Sequence, residues 1–236
     1  MMRQSIISDQ DKAQLKRTFR KDLKGEVPIR LFTTRPTPLT IPGRECAYCA
    51  QTQQLMEDLS ALSPKLRLEI VDFFQQPQVA REHGVERIPA IVLGADGSSR
   101  LKFYGIPMGY ELAAVIEGIK NISRGVSPLA METRKMLRQV NQPVRLQVFV
   151  TPTCQYCPLM ARLAHAFALA SPHVTAEVIE IQEFPALAQF YAVRSVPLTV
   201  INEHIRLTGA VPEAQLLERV LQAGYRPAQQ NGDGEA

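Results

Sequence analysis

Residues 144–157, VRLQVFVTPTCQYC, contain the pattern around which the whole chain can be interpreted. The first seven of these residues have the apolar and β-branched composition of a strand. Thr151-Pro152-Thr153 ends the strand, and Cys154 and Cys157 follow at once. Residues 159–169 are mostly good helix formers with apolar side chains at helical spacing. The stretch therefore predicts two cysteines at the junction between a strand and a helix.

The position of these two cysteines favours redox chemistry. A thiolate at the start of a helix is stabilised by free backbone N–H groups and by the positive end of the helix dipole, so we expect Cys154 to ionise easily. The thiolate is the form that attacks a disulfide. Cys157 lies one turn further along the same helix face, where it can resolve the mixed disulfide that results. We therefore predict that Cys154 and Cys157 are a catalytic dithiol.

The same pattern occurs earlier in the chain. Cys46-Ala47-Tyr48-Cys49 precedes the second pair by 154 − 46 = 108 residues, and Pro89 precedes Pro197 by 197 − 89 = 108 residues. The halves align between these anchors without a gap, with further matches of Tyr48 to Tyr156, Leu55 to Leu163, Ser63-Pro64 to Ser171-Pro172, Glu69 to Glu177, Pro77 to Pro185 and Val85 to Val193. A repeat of this length is a whole domain. Cys46 and Cys49 are therefore predicted to be a second catalytic pair.

Composition limits the classes to which the protein can belong. The 236 residues, 45% of them hydrophobic, suit two domains of about 110–120 residues each. The net charge is +4, but basic and acidic residues interleave, which disfavours nucleic-acid binding. No apolar run approaches the roughly 18 residues of a membrane span, and the N-terminus lacks a signal-peptide core. Because all four cysteines belong to the two pairs, we expect a cytoplasmic protein with catalytic thiols.

The remaining residues predict the same order of elements in both halves. We expect a first helix over 9–24 capped by Ser8, a proline-rich loop over 34–45, a hairpin turn over 94–97 and, opening the second half, a helix over 128–140 capped by Ser127. Each half then follows the order βαβ-αββα. The fold class is α/β, with two tandem thioredoxin-fold units, each a central mixed sheet flanked by helices. We place the units at 1–125, with an extra N-terminal helix, and 126–227, followed by a disordered tail over 228–236.

With these motifs the chain resembles the protein disulfide oxidoreductase family, tandem glutaredoxin-like proteins of thermophilic prokaryotes. The likeness covers nearly the whole chain and is especially close in residues 7–9, 69–73 and 149–154. It implies an enzyme that reduces, forms or reshuffles protein disulfides without a bound cofactor beyond its redox-active disulfides. It also implies protein disulfide substrates and a thioredoxin-reductase-like flavoenzyme as electron donor. The long loop before Cys46 has no counterpart in the second half and departs from this symmetry.

The resemblance assigns supporting residues beside each cysteine pair. It implies that Pro89 and Pro197 follow cis peptide bonds and pack against the cysteines, where the neighbouring backbone can pair with an extended substrate. It also implies that Tyr48 and Tyr156 make each site more oxidising than that of thioredoxin, although the rings could instead simply shield the sulfur atoms.

Carboxylates and histidines give weaker signals. Thioredoxins use a buried carboxylate beneath the disulfide as a proton acceptor, but neither first strand contains an acidic residue. Glu45 is a possible substitute, although an exposed loop position is the stronger expectation. The histidines show no ligand spacing, and we expect surface positions for all of them: His83, His165, His173 and His204.

Four other functions remain open at this point. A zinc site made by the four thiolates is disfavoured, because zinc ribbons place their pairs about 15–20 residues apart within one small unit. An electron-relay module like that of the alkyl hydroperoxide reductase flavoprotein would keep cysteines only in its second unit, whereas this chain keeps both pairs. A glutathione-dependent glutaredoxin would need glutathione for turnover. A chaperone-like binding protein would keep its peptide binding after all four cysteines are replaced.

Overall fold

The computed structural model describes residues 5–35, 42–94 and 100–226. In the first unit the elements are α1 (Asp9–Asp22), β1 (Val27–Thr33), α2 (Cys49–Ser60), β2 (Leu66–Asp72), α3 (Pro77–Glu82), β3 (Ala90–Leu93), β4 (Leu101–Tyr104), a 3-10 turn (Gly109–Glu111) and α4 (Leu112–Arg124). In the second unit they are α5 (Met131–Leu137), β5 (Val144–Val150), α6 (Cys157–Ala170), β6 (Val174–Glu180), α7 (Pro185–Phe190), β7 (Leu198–Ile201), β8 (Ile205–Thr208) and α8 (Glu213–Gly224). Both units thus show the predicted order. Their limits at 1–125 and 126–227 stay predictions.

The strands of the two units form one continuous sheet. Its eight strands lie in the order β2-β1-β3-β4-β6-β5-β7-β8. In each unit the first strand pairs parallel with the second and antiparallel with the third. The units meet where β4 pairs parallel with β6, with Leu101 opposite Ala176 and Tyr104 opposite Ile179. The mixed sheets expected from the sequence are therefore present, and they are joined edge to edge.

This topology places both cysteine pairs at the same edge of the sheet. Strands β1, β4, β6 and β5 all run in one direction, because β1 and β4 are both antiparallel to β3 and the other two pairings are parallel. Cys46 follows β1 and Cys154 follows β5. The two strands are four steps apart in the sheet, which corresponds to about 20 Å at the usual strand spacing.

Apolar side chains cover both faces of the sheet. One cluster includes residues from both units, such as Ile119 of α4 and Phe167 of α6, both fully buried. The second cluster lies on the other face, under α3 and α7, and includes Phe32 and Phe149. Because side chains alternate between the faces of a strand, strands β1 to β7 each contribute to both clusters. The core is therefore continuous across the join between the units.

Helix α1 starts as predicted and ends slightly early. The hydroxyl of Ser8 accepts a hydrogen bond from the N–H of Asp11 at 3.1 Å and caps the helix. The helix ends at Asp22, two residues before the predicted end, because Leu23 adopts an extended backbone. Its side chain is buried in the core.

The predicted cap of the helix that opens the second unit is wrong. That helix begins at Met131, after Ala130, and ends at Leu137. The hydroxyl of Ser127 instead donates to the carbonyl oxygen of Ala166 in α6 at 2.8 Å, and the buried Leu129 follows it. Tertiary contacts with α6 and the core therefore hold residues 127–129 out of the helix.

Three predictions fall on residues outside the described ranges. These are most of the turn at 94–97, part of the loop over 34–45 and the tail over 228–236. Within the described ranges, no helix has the length and hydrophobicity needed to cross a membrane.

Candidate active site

The second cysteine pair forms a disulfide at the start of α6. Cys154 and Cys157 are bonded to each other, with their Cα atoms 5.4 Å apart. The helix begins at Cys157, whose backbone N–H points at the sulfur of Cys154 at 3.1 Å. Cys157 is fully buried, whereas Cys154 is partly exposed. The outer sulfur is thus the one that a substrate can reach, and it lies against an N–H group that would stabilise a thiolate.

The first cysteine pair has the same arrangement at the start of α2. Cys46 and Cys49 form a disulfide, and their Cα atoms are 5.5 Å apart. Cys49 is the first residue of the helix and is buried, while Cys46 is partly exposed. On the approach to this site the guanidinium of Arg44 stacks over the ring of Phe74 at 4.9 Å. This contact joins the loop that carries Cys46 to the residues just after β2.

Both prolines that match in the repeat follow cis peptide bonds, which confirms the expected cis geometry before Pro89 and Pro197. In the second site the sulfur of Cys154 lies 3.8 Å from the carbonyl oxygen of Val196, the residue before Pro197. In each unit the carbonyl of the proline accepts a hydrogen bond from a glycine just after the neighbouring strand, at 2.9 Å for Pro89 and 2.8 Å for Pro197. The backbone beside each cysteine pair is therefore held by the sheet.

The tyrosines between the cysteines lie at the surface. Tyr48 is 42% exposed and Tyr156 is 57% exposed. An exposed ring beside a half-buried sulfur offers apolar surface to a partner protein.

A buried carboxyl that the sequence analysis missed, that of Glu111, belongs to a turn that contacts the loop before Cys154. Glu111 is only 2% exposed, and neither of its carboxyl oxygens has a hydrogen-bond partner within the described residues. Burial, reinforced by the nearby charge of Glu180, raises the pKa of Glu111 to about 9. The 3-10 turn that carries Glu111 rests on the loop before Cys154, because the N–H of Tyr110 donates to the carbonyl of Pro152 at 3.3 Å.

No local sequence pattern identifies Glu111 as a site residue. It belongs to the first unit, and its turn contacts the loop before Cys154 across the join between β4 and β6. Glu45, the substitute that the sequence suggested, is exposed in its loop. The repeat partners Glu69 and Glu177 differ, since Glu69 is exposed whereas Glu177 is buried and paired with Lys102 and Arg145.

One histidine also departs from its expected position. His165 is almost fully buried on α6, so the prediction of a surface position is wrong for this residue. Burial lowers its pKa to about 4, and its Nε2 lies 3.3 Å from the carbonyl oxygen of Lys102 in the first unit. The sequence of α6 alone does not reveal that the face carrying His165 packs against α4 of the first unit.

The cysteines do not form a single four-thiolate cluster. Each pair is bonded within its own unit, and four strand steps separate the two pairs in the sheet. Across the part of the chain that the structure describes, no group of three or more His, Cys, Asp and Glu side chains is placed to hold a metal ion.

Comparisons with known proteins support a redox role. The family model of the thioredoxin domain matches residues 38–117 and 144–222, together more than half of the chain. The thioredoxin of Methanocaldococcus jannaschii is 32% identical over 78 residues, which are 33% of this chain and 92% of that protein. The alkyl hydroperoxide reductase protein AhpF of Xanthomonas campestris pv. phaseoli is 22% identical over 188 residues, which are 79% of this chain but only 34% of that protein. The chain therefore spans about a third of the length of that relative.

Solved structures of similar proteins extend over both units. A protein disulfide oxidoreductase from Aeropyrum pernix K1 superposes with a TM-score of 0.82 and 28% identity, over 92% of this chain and 93% of that one. The AhpF protein of Enterococcus faecalis has a TM-score of 0.79 and 24% identity, covering 91% of this chain and 99% of that chain, and this shared fold includes the join between the units.

Together, the family match in both units and the Cys-x-x-Cys disulfide in each show that this chain belongs to the thioredoxin-domain family, as a tandem dithiol–disulfide oxidoreductase.

Proposed function

We propose that the chain exchanges disulfides with protein substrates at both sites, with Cys46 and Cys154 as the attacking cysteines and Cys49 and Cys157 as the resolving ones. The observation that carries these roles is the difference in burial within each pair. The outer sulfur is accessible and the inner one is not. A substrate disulfide can therefore meet only the outer sulfur, whereas the inner sulfur can reach only its own partner.

The reaction at each site proceeds in two steps. In the first, the outer cysteine thiolate attacks one sulfur of the substrate disulfide; a mixed disulfide forms and the other substrate sulfur leaves as a thiolate, which takes up a proton. In the second, the inner cysteine loses its proton and attacks the outer sulfur; the intramolecular disulfide forms and the remaining substrate sulfur leaves. Two electrons and two protons pass from the enzyme dithiol to the substrate. In reverse, the same steps form a disulfide in the substrate.

The cis-proline segments and the tyrosines are proposed to hold the substrate. The carbonyl of Val196 faces the reacting sulfur of Cys154, so a segment bound there in an extended conformation can pair with backbone groups beside Pro197. The repeat implies the same role for the backbone beside Pro89. Tyr48 and Tyr156 present exposed rings next to the outer cysteines and would contact the substrate around its disulfide.

Glu111 is proposed to exchange a proton with the second site. Its carboxyl is buried, lacks a hydrogen-bond partner among the described residues and belongs to the turn that contacts Pro152. A pKa of about 9 keeps it protonated at neutral pH, so it can donate a proton to the departing substrate thiolate. The carboxylate left behind can then take up the proton that the attacking Cys157 thiol releases. The first site has no register-equivalent carboxyl, since Arg219 stands 219 − 111 = 108 residues after Glu111.

The electron donor is proposed to be a thioredoxin-reductase-like flavoenzyme, and the site of action the cytoplasm. A second candidate function is electron relay between such a flavoenzyme and a peroxidase, because the AhpF protein of alkyl hydroperoxide reductase shares the tandem fold over 91% of this chain. The two functions share the same chemistry and differ in the final acceptor. Measuring reduction of a peroxidase disulfide against reduction of a general protein disulfide would separate them.

Trapping of the mixed disulfide tests the proposed roles. We expect Cys49→Ser and Cys157→Ser, each in its reduced form, to accumulate a covalent complex with a disulfide-containing protein such as insulin. Peptide mapping should locate the bond at Cys46 and Cys154, respectively. Cys46→Ser and Cys154→Ser should form no complex at the altered site. A complex formed through Cys49 or Cys157 would contradict the assignment.

A further inference from the structure

An open groove of about 460 Å³ lies between the two units, beside the residues that lead to Pro89. Its first wall is Arg87 of the first unit. Its second wall comes from the second unit and consists of residues 183–187 and Phe190. The proposed chemistry does not use this groove, although Phe184 and Leu187 of its wall also pack against the second core cluster.

The groove exists because the units share one sheet. The fully buried Tyr104 of β4 lies beneath two of its lining residues, Arg87 and Phe184. The guanidinium of Arg87 stacks on the Tyr104 ring at 4.9 Å, and the ring of Phe184 meets the same ring edge-on at 6.5 Å. Nη2 of Arg87 also lies 3.0 Å from the carboxylate of Glu86. Arg87 is thereby held in place as a rigid wall, and Phe184 approaches it only because β6 follows β4 in the sheet.

The groove lies beside the residues that precede the cis-proline of the first site. In the second site Val196 lies beside the outer sulfur. Its repeat partner in the first site is Ile88, since 196 − 108 = 88. Arg87 directly precedes Ile88. A substrate segment paired beside Cys46 therefore enters the groove within about two residues, since an extended chain advances roughly 3.3 Å per residue.

The wall formed by the second unit is unusually apolar for a surface. Phe190 at the end of α7 is 77% exposed, although its ring lies edge-on to Tyr191 at a centroid distance of 5.0 Å. The repeat partner of Phe190 on α3 is residue 190 − 108 = 82, an exposed glutamate. Exposure of a whole phenylalanine ring costs free energy that a bound apolar group would recover.

The second site has no corresponding groove from a neighbouring unit within the described residues. Pro197 precedes β7, and β7 is followed only by the edge strand β8, so no further unit lies beyond it in the sheet. The feature is therefore specific to the first site. The last residues of the chain, 227–236, hold no large apolar side chain and do not match the groove.

We propose that this groove is a substrate subsite of the first cysteine pair. It binds an extended segment of a disulfide-containing protein and places an aromatic or large aliphatic side chain, near the substrate cysteine, against Phe190 and Leu187. The proposal rests on the disulfide exchange at Cys46 described above. It makes the two sites different in specificity, with residues of the second unit selecting the substrates of the first.

The test uses enzymes in which one site is disabled. The first-site enzyme carries Cys154→Ser with Cys157→Ser, and the second-site enzyme carries Cys46→Ser with Cys49→Ser. Phe190→Ser is added to each, and Met131→Ser, which alters a residue that is 79% exposed on α5, is the matched control. The substrates are two short synthetic disulfide peptides that differ only in having Phe or Ser two residues from a cysteine.

In the first-site enzyme we expect Phe190→Ser to raise KM for the Phe peptide by about fivefold to tenfold, because one apolar contact with the peptide is lost. The value of kcat should change little. The Ser peptide, the second-site enzyme and the Met131→Ser control should show no such change. Equal KM values for the Phe peptide with and without Phe190 would overturn the proposal. A change of the same size in the second-site enzyme would also overturn it.

A binding measurement separates this proposal from the proposed function. A fluorescent linear Phe peptide with serine in place of cysteine is titrated against each protein, and anisotropy is followed. The first-site enzyme could prove inactive while the peptide binds more weakly to its Phe190→Ser variant than to the enzyme that retains Phe190. That result would support the subsite and contradict disulfide exchange at Cys46. If binding does not depend on Phe190, the subsite falls. Sedimentation showing a dimer that Phe190→Ser dissociates would assign the surface to a second copy and contradict the proposal.

Discussion

The Nζ atom of Lys102 lies 3.5 Å from Oε1 of Glu177, and this buried ion pair joins the two units across their shared strands. Nη2 of Arg145 on β5 lies 2.8 Å from Oε2 of Glu177 and 2.8 Å from Oε2 of Glu86. Glu86 stands three residues before Pro89. A single network of charges therefore runs from the core of the second unit to the cis-proline segment of the first site.

Replacing Glu177 tests this network. Glu177→Gln leaves Lys102 buried without its anionic partner, so we expect the free energy of unfolding to fall by about 2–4 kcal/mol. Glu69→Gln at the repeat position is the control, because Glu69 is exposed and its pair with Arg30 lies at the surface. We expect that control to change stability by less than about 1 kcal/mol. Urea denaturation of both variants measures the difference, and equal losses would contradict the network.

Glu111 gives the stability of the protein a distinct dependence on pH. With a pKa of about 9 in the folded state against an ordinary value of 4.5, the folded protein holds a proton that the unfolded chain releases. This group therefore makes stability fall as pH rises from about 5 towards 9. We expect Glu111→Gln to remove this dependence, so that its free energy of unfolding rises relative to that of the wild type by up to about 4 kcal/mol between pH 5 and pH 8.

Thermal unfolding at several pH values checks this prediction. Glu180 and Glu183 lie close to Glu111, and burial raises the pKa of both carboxyls, that of Glu183 to about 7. Glu183→Gln is therefore the control that separates the contribution of Glu183 to the pH dependence of stability from that of Glu111. A difference in Tm between Glu111→Gln and the wild type that stays constant with pH would mean that Glu111 is already ionised in the folded protein.

Gly109 fits its turn against the second site only without a side chain. A Cβ atom there would lie 2.7 Å from the carbonyl oxygen of Pro152, and the backbone φ is +55°. We expect Gly109→Ala to displace the loop before Cys154 and to lower activity of the second-site enzyme by about tenfold. Gly125→Ala is the control, since its φ of +67° imposes similar backbone strain but a Cβ would contact nothing within 4 Å.

The two glycine variants are compared by rate and by stability. Both should lose roughly 1 kcal/mol or more of stability from the left-handed backbone. Only Gly109→Ala should slow disulfide exchange at the second site, and the first-site enzyme should keep its rate in both. Equal rates for the two variants at the second site would show that the contact with Pro152 is only structural.

His165 makes the folded state sensitive to acid. Burial lowers its pKa to about 4, below the ordinary value of 6.5, so the unfolded chain binds a proton before the folded one does. This residue therefore costs stability as pH falls from about 6.5 to 4, by up to about 3 kcal/mol. We expect His165→Leu to flatten the acid side of the stability curve, whereas His173→Leu, at an exposed position, should leave it unchanged. Parallel acid curves for His165→Leu and the wild type would contradict this.

Features that depend on local order along the chain could be predicted from the sequence. The offset of 108 residues predicted both cysteine pairs, and the resemblance implied the cis bonds before Pro89 and Pro197, because these features depend on local order along the chain. The cap at Ser8 is equally local, and it was predicted correctly. The roles of the cysteines stay predictions.

Features that depend on the pairing of β4 with β6 could not be predicted. Glu111, His165 and the groove beside Arg87 all owe their surroundings to the other unit. The failed cap at Ser127 has the same cause, since its hydroxyl bonds to α6. Edge-to-edge pairing of two sheets leaves no periodicity in sequence, and the repeat itself suggests independent units.

The most direct test of the central claim is the rate of insulin disulfide reduction driven by dithiothreitol, measured for the wild type, Cys154→Ser and Cys46→Ser. We predict that the wild type accelerates the reaction well above dithiothreitol alone and that Cys154→Ser loses most of this activity, since the proton exchange proposed for Glu111 serves only the second site. Cys46→Ser should keep the larger share. A wild-type rate equal to that of dithiothreitol alone would contradict the assignment of this chain as a dithiol–disulfide oxidoreductase.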